Sequence, residues 1–192
     1  MGKLTKLKMN RGMTYVELIV VLSIFAVLSS VVMFSYGDFQ AKIDIKNLAS
    51  DIAIKIVEAQ KSSLNGALPV AGYNEDTWKP SYGVYFDTSI PNQFVYFANL
   101  DELNNYDPAN EELDTIIITK NNLISNIDSY SNSTLTPITD PLAILFRRPN
   151  SSAIFTSTSL TSDFEYIQIT VSSPNGKKAF MKIYPSGRVQ VD

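Results

Sequence analysis

The apolar positions of this chain follow three successive rules. From Leu18 to Gly37 they are continuous, and LIVVLSIFAVLSSVVMFSYG carries no charged side chain. At about 1.5 Å rise per residue, a helix of that length spans roughly 30 Å, the hydrocarbon thickness of a bilayer. After Asp38 the pattern becomes amphipathic: Ile45, Leu48, Ile52, Ile56 and Ala59 recur every three or four residues, which aligns them along one helical face. Lys42, Lys46, Asp51, Lys55, Glu58 and Lys61 fall largely outside that stripe. Asn65-Gly66 followed by Pro69 predicts the helix stop. One helix from about Met13 to Asn65 is expected, with a break near Tyr36-Gly37-Asp38 as the alternative, because glycine permits local melting.

From Tyr73 onward, short apolar or alternating runs between turn residues predict antiparallel sheet. The expected strands are Tyr82 to Phe86, Phe94 to Phe97, Thr115 to Thr119, Leu142 to Phe146, Tyr166 to Val171, Ala179 to Tyr184 and Arg188 to Val191. Pro174-Asn175-Gly176 and Pro185-Ser186-Gly187 are tight-turn sequences, so the last three strands should form a meander. Asn121 to Thr139, rich in Ser, Thr and Asn, reads as an exposed loop. A sheet with one apolar face needs a cover, and the Ile45 to Ala59 stripe supplies it. The fold class is therefore α+β, a long N-terminal helix on an antiparallel β-sheet head.

Charge sharpens this picture. The chain of 192 residues has a net charge of -3, but residues 1 to 12 hold Lys3, Lys6, Lys8 and Arg11 without an acidic partner, so the remainder is strongly acidic. Those cations precede the apolar run and Asp38 is the first charge beyond it. The positive-inside rule then keeps Met1 in the cytoplasm and exports the head across a single span of the cytoplasmic membrane.

Cysteine and histidine are both absent. Their absence removes disulfides, thiolate and imidazole metal sites, and Ser-His-Asp or Cys-His nucleophile arrangements. The chain shows no glycine-rich phosphate loop and no Ser-x-x-Lys with supporting motifs. No enzyme activity and no cofactor are expected. Asp101, Glu102, Asp107, Glu111, Glu112 and Asp114 offer oxygen ligands, but Leu103 stands at a ligand position and no central glycine follows, so the stretch reads as a solvated acidic loop. Asn132-Ser133-Thr134 matches a glycosylation sequon by its letters alone.

The start of the apolar run carries the most specific signal. Arg11-Gly12 is followed by Met13-Thr14-Tyr15-Val16-Glu17 and then by Leu18-Ile19-Val20-Val21-Leu22. This combination of basic leader, glycine, four uncharged residues, glutamate and uninterrupted apolar helix resembles the type IV prepilin family. The resemblance implies cleavage after Gly12 by a prepilin peptidase, N-methylation of Met13, and a role for Glu17 in assembly. It divides the chain into a leader (1–12), a transmembrane and polymerisation half-helix (13–37), an amphipathic half-helix (38–65) and a type IV pilin-like head (66–192). Implied partners are other pilin or pseudopilin subunits, the peptidase, an inner-membrane assembly platform and the membrane itself. Physics supports the importance of Glu17 separately: a carboxylate entering hydrocarbon costs about 2.5–3.5 kcal/mol and normally requires a partner. The amino group of Met13 on a neighbouring subunit is suitable, whereas the plainer reading is a carboxylate that reaches interfacial water.

The C-terminal run from Phe180 to Val191 resembles the closing hairpin of the GspH/FimT group of pseudopilins and minor pilins, which implies a low-abundance subunit near a filament tip. Arg147, Arg148, Lys177, Lys178, Lys182 and Arg188 concentrate positive charge in the C-terminal region. The plainer reading is solubilising charge at sheet edges and turns. The resemblance admits DNA as an alternative partner. A membrane-tethered binding domain unrelated to filaments is the rival from another class.

Overall fold

A single α-helix, α1 (Tyr15–Asn65), carries both the continuous and the amphipathic parts of the apolar pattern and runs on through Gly37. The computed structural model describes residues 12–68, 80–101 and 103–192. The leader cations, Pro69, Glu102 and the segment from Tyr73 to Lys79 lie outside the described residues. The chain divides into two compact units, the first ending at Gln40 and the second comprising Ala41–Asp192.

In the first unit, the helix exposes its large apolar side chains, Phe25 and Met33 among them. It is long and apolar enough to cross a membrane, a property shared by membrane spans and secretory signals.

In the second unit, the predicted stripe is the buried one. Ile45, Ile52, Ile56 and Ala59 are fully buried, Leu48 packs partly buried against the same core, and Ala49 and Ser63 extend the stripe. The helix ends where Gly66 takes a positive φ of 62°. Gly66 N donates to Ser63 O at 3.1 Å and Ala67 N to Ser62 O at 3.0 Å. This is a Schellman closure, which satisfies last-turn carbonyls at a position that favours glycine.

Ten strands follow among the described residues: β1 (Ser81–Phe86), β2 (Gln93–Asn99), β3 (Glu112–Ile117), β4 (Leu123–Ser131), β5 (Thr134–Pro137), β6 (Leu142–Phe146), β7 (Ala153–Thr156), β8 (Tyr166–Ser172), β9 (Lys178–Ile183) and β10 (Val189–Val191). They form two five-stranded sheets rather than the single one expected, with orders β3-β2-β1-β6-β7 and β10-β9-β8-β4-β5. All pairings are antiparallel. The seven predicted strands are present with shifted ends, and the C-terminal meander forms as β8-β9-β10.

The segment Asn121 to Thr139 departs from expectation. It is not an exposed loop but contains the β4–β5 hairpin, turned at Asn132 and Ser133, both with positive φ, as a two-residue hairpin turn requires. β4 also pairs with β8, and its register shifts between Ile124 and Asn126. That irregularity brings Ile124 and Ile127 into the same core although they are three residues apart, which hides the two-residue period a strand normally shows.

The main core unites the α1 stripe with Tyr82, Val84, Phe86, Ile144 and Phe146 of one sheet and Ile167, Ile169, Val171, Met181 and Ile183 of the other. Burying an isoleucine or phenylalanine contributes about 1.5–3 kcal/mol, so this cluster dominates the cohesion of the head. The first sheet has a second apolar layer on its opposite face, where Val95, Phe97, Tyr106, Ala143 and Leu145 cluster. β6, buried on both faces, therefore reads as an unbroken apolar run.

Candidate functional site

The sequence placed the chemistry at the helix start. Gly12, Met13 and Thr14 precede the first helical residue, Tyr15, and all are exposed. Thr14 and Glu17 there form a reciprocal cap. Glu17 N donates to Thr14 Oγ1 at 3.3 Å, while Thr14 N and the Thr14 hydroxyl each donate to Glu17 Oε2 at 3.4 Å. A Thr-x-x-Glu capping box satisfies otherwise orphaned first-turn donors and sets the carboxylate at the positive end of the helix dipole.

The sequence reading identified Glu17 but missed Thr14. The Thr-x-x-Glu spacing itself was the available signal. Glu17 is also the sole charged side chain between Gly12 and Gly37. The arrangement holds one carboxylate at a fixed point of an apolar surface, where it can accept a proton donor or pair with an ammonium group.

The predicted basic residues are not gathered at one place. Lys177 and Lys178 lie at the β8–β9 turn and Arg188 at the β9–β10 turn. These turns stand at opposite ends of β9, a strand of six residues, which spans roughly 17 Å at about 3.3 Å per residue. Arg188 stacks over the Tyr184 ring at 3.9 Å. Lys182 Nζ is 2.7 Å from Asp192 and 5.7 Å from the Tyr166 ring centroid.

Arg147 and Arg148 follow β6. Arg147 donates to Asn104 Oδ1 at 3.0 Å, and the Arg148 guanidinium lies where a side chain on Gly66 would stand. The β9–β10 turn reaches the same end of the head: Gln60 Nε2 donates to Ser151 O at 2.7 Å and to Gly187 O at 3.3 Å. Arg148, and the Gly187 backbone next to Arg188, thus neighbour the C-terminal end of α1. Lys177 and Lys178 belong to the end where β8 meets Leu123, a few residues from the Lys120–Asp44 ion pair at 2.8 Å.

The acidic stretch is more ordered than a solvated loop. Glu111 is 2% exposed and accepts from Leu100 N at 2.7 Å and Asp107 N at 2.9 Å. Burial pushes its carboxyl above the usual range, partly offset by these two bonds. Asp101 accepts from Leu103 N at 3.0 Å and Asp107 from Ala109 N at 3.0 Å. Backbone amides take up these oxygens, and among the described residues no three acidic side chains converge on a common point.

The fold defines a class: a long N-terminal apolar helix whose second half packs on antiparallel sheets, a pilin-like architecture. No family model, curated protein or solved structure matches the chain.

Proposed function

We propose that this chain is a structural subunit, a minor pilin or pseudopilin, of a type IV pilus-like or type II secretion filament. In this reading a prepilin peptidase cleaves after Gly12, Met13 is N-methylated, and the helix passes from the cytoplasmic membrane into a filament with the head outside. The observation that carries the reading is Glu17. It is a lone carboxylate in an otherwise uncharged stretch, held at the first turn of a membrane-length helix, five residues beyond a glycine that ends a basic leader. Such a group is costly in hydrocarbon unless it finds a partner, and the amino group released at Met13 of an incoming or neighbouring subunit is the nearest suitable chemistry. The head contributes no catalytic group to this role; its two sheets provide surfaces for display and contact.

Mass spectrometry of the mature N-terminus from membranes of the native host tests the proposal. Methylated Met13 is expected. Cleavage at small residues within the apolar run, such as Ser29-Ser30, as a secretory signal would show, or retention of Met1, overturns it.

A second reading, binding of DNA by the head, rests on the alternation of tyrosines with cations around Tyr184-Arg188 and Tyr166-Lys182. Aromatic faces beside cations suit stacked bases and phosphates. Binding that falls steeply with salt and weakens in Arg188→Ala supports it, and absence of binding at low salt removes it.

A further inference from the structure

On the face of the first sheet opposite α1, Tyr106 and Pro108, which lie between β2 and β3 in the chain, help to line a cavity of about 300 Å³. Its walls include Tyr85, Asp87, Val95, Tyr106, Glu112 and Thr115. The two tyrosine rings meet at 4.7 Å and 42°, forming an aromatic corner. Tyr106 is fixed from behind by Phe97 at 5.1 Å, and its hydroxyl donates to Glu112 Oε2 at 3.1 Å. Thr115 donates to the other oxygen of Glu112 at 2.6 Å. Asp87 is oriented by Ser89, whose amide and hydroxyl donate to Oδ1 at 2.8 and 2.5 Å. Both carboxylates therefore have set positions.

The cavity lining contains no Lys or Arg, and among the described residues neither Asp87 nor Glu112 forms an ion pair with one. Burial raises the pKa of Tyr106, with the Glu112 bond and charge adding to it, and burial then the Asp87 charge raise that of Tyr85. An aromatic corner between two oriented, unneutralised carboxylates attracts a cation both through the ring quadrupoles and through charge. Anions are repelled, and a purely apolar guest would desolvate two carboxylates without compensation.

We propose that this cavity is a binding site for an organic cation the size of a lysine ammonium or arginine guanidinium group. The cation comes either from a neighbouring polypeptide or from a free amine. The site is independent of the filament reading, since none of its residues lies on α1.

The test uses the full-length chain in detergent micelles, with isotope-labelled Val and Ile methyls and titration of four probes: N-acetyl-arginine amide, tetramethylammonium, an Arg-containing tripeptide and N-acetyl-citrulline amide. Saturable shifts of Val95 and Ile90 are expected with the cations, at least about tenfold weaker with neutral citrulline. Asp87→Asn, which keeps the Oδ1 acceptor that Ser89 uses, and Glu112→Gln, which keeps one of its two acceptor oxygens, should each weaken binding about three- to tenfold. A tripeptide that binds tenfold tighter than tetramethylammonium indicates a polypeptide source, and the reverse order a free amine. Absence of saturable shifts, equal binding of citrulline, or full affinity in both charge-removing variants overturns the site.

Discussion

The Ser63 hydroxyl donates to the Phe146 carbonyl at 2.6 Å, joining the last turn of α1 to the end of β6. Ser63 sits four residues after Ala59, on the same buried stripe, and is its polar member. The bond supplies the partner that a buried hydroxyl needs. Ser63→Ala should therefore destabilise the head by about 1–3 kcal/mol, because the Phe146 carbonyl loses a buried donor. Urea denaturation followed by circular dichroism measures the effect, and a change within error would show that water replaces the hydroxyl.

The stripe itself allows a paired test. Ile52 is 0% exposed and Ile54, two residues on, is 62% exposed. Ile52→Ala should cost about 2–5 kcal/mol through lost burial and a cavity, and Ile54→Ala within about 0.5 kcal/mol for the isolated subunit. Similar losses for both variants would mean that the helix face is assigned wrongly.

Asp128 on β4 is buried and burial raises its carboxyl above the usual range. A folded pKa above the unfolded one gives a contribution that is fully present below the unfolded value and is lost as pH rises through the folded value. The charged group consequently disfavours folding near neutrality. Asp128→Asn should raise the melting temperature by about 1–3 °C near neutral pH. That gain should vanish toward about pH 3, where the wild-type carboxyl is protonated in both states. Melting curves across that range check the sign, and a gain that grows toward acid would contradict it. Glu111 is raised in the same direction, but its two backbone bonds mean that Glu111→Gln loses an acceptor and should destabilise even at neutral pH.

Thr14 and Glu17 separate capping from assembly. Thr14→Ala removes the cap, at a cost of about 0.5–2 kcal/mol to the helix start, yet keeps the carboxylate. Glu17→Ala removes both. If Glu17 pairs with a neighbouring amino group, Glu17→Ala should reduce filament incorporation at least about tenfold while Thr14→Ala stays within about threefold of wild type. Quantifying subunits in sheared or sedimented filaments distinguishes the two, and equal losses would make Glu17 a capping residue alone.

The sequence by itself determined the elements whose signal is local. The uncharged run from Leu18 to Gly37, the three-to-four spacing from Ile45 to Ala59 and the Asn65-Gly66 stop together defined α1, and the two Gly-containing turns defined the C-terminal meander. The proposed roles of Gly12, Met13 and Glu17 rest on spacing along one segment, to which the structure adds their exposure and the Thr14–Glu17 cap. Tertiary structure alone decided how the strands divide between two sheets. It also decided that the polar segment beginning at Leu123 becomes β4, where an irregular register and partners on β5 and β8 override its composition. It drew Tyr85, Asp87, Tyr106 and Glu112 into one cavity from separate stretches and parted Lys177 and Lys178 from Arg188, although ten residues or so of sequence link them. Periodicity reports which face of an element avoids water; which other element covers that face depends on contacts between residues far apart in the chain, and those become visible only in the folded protein.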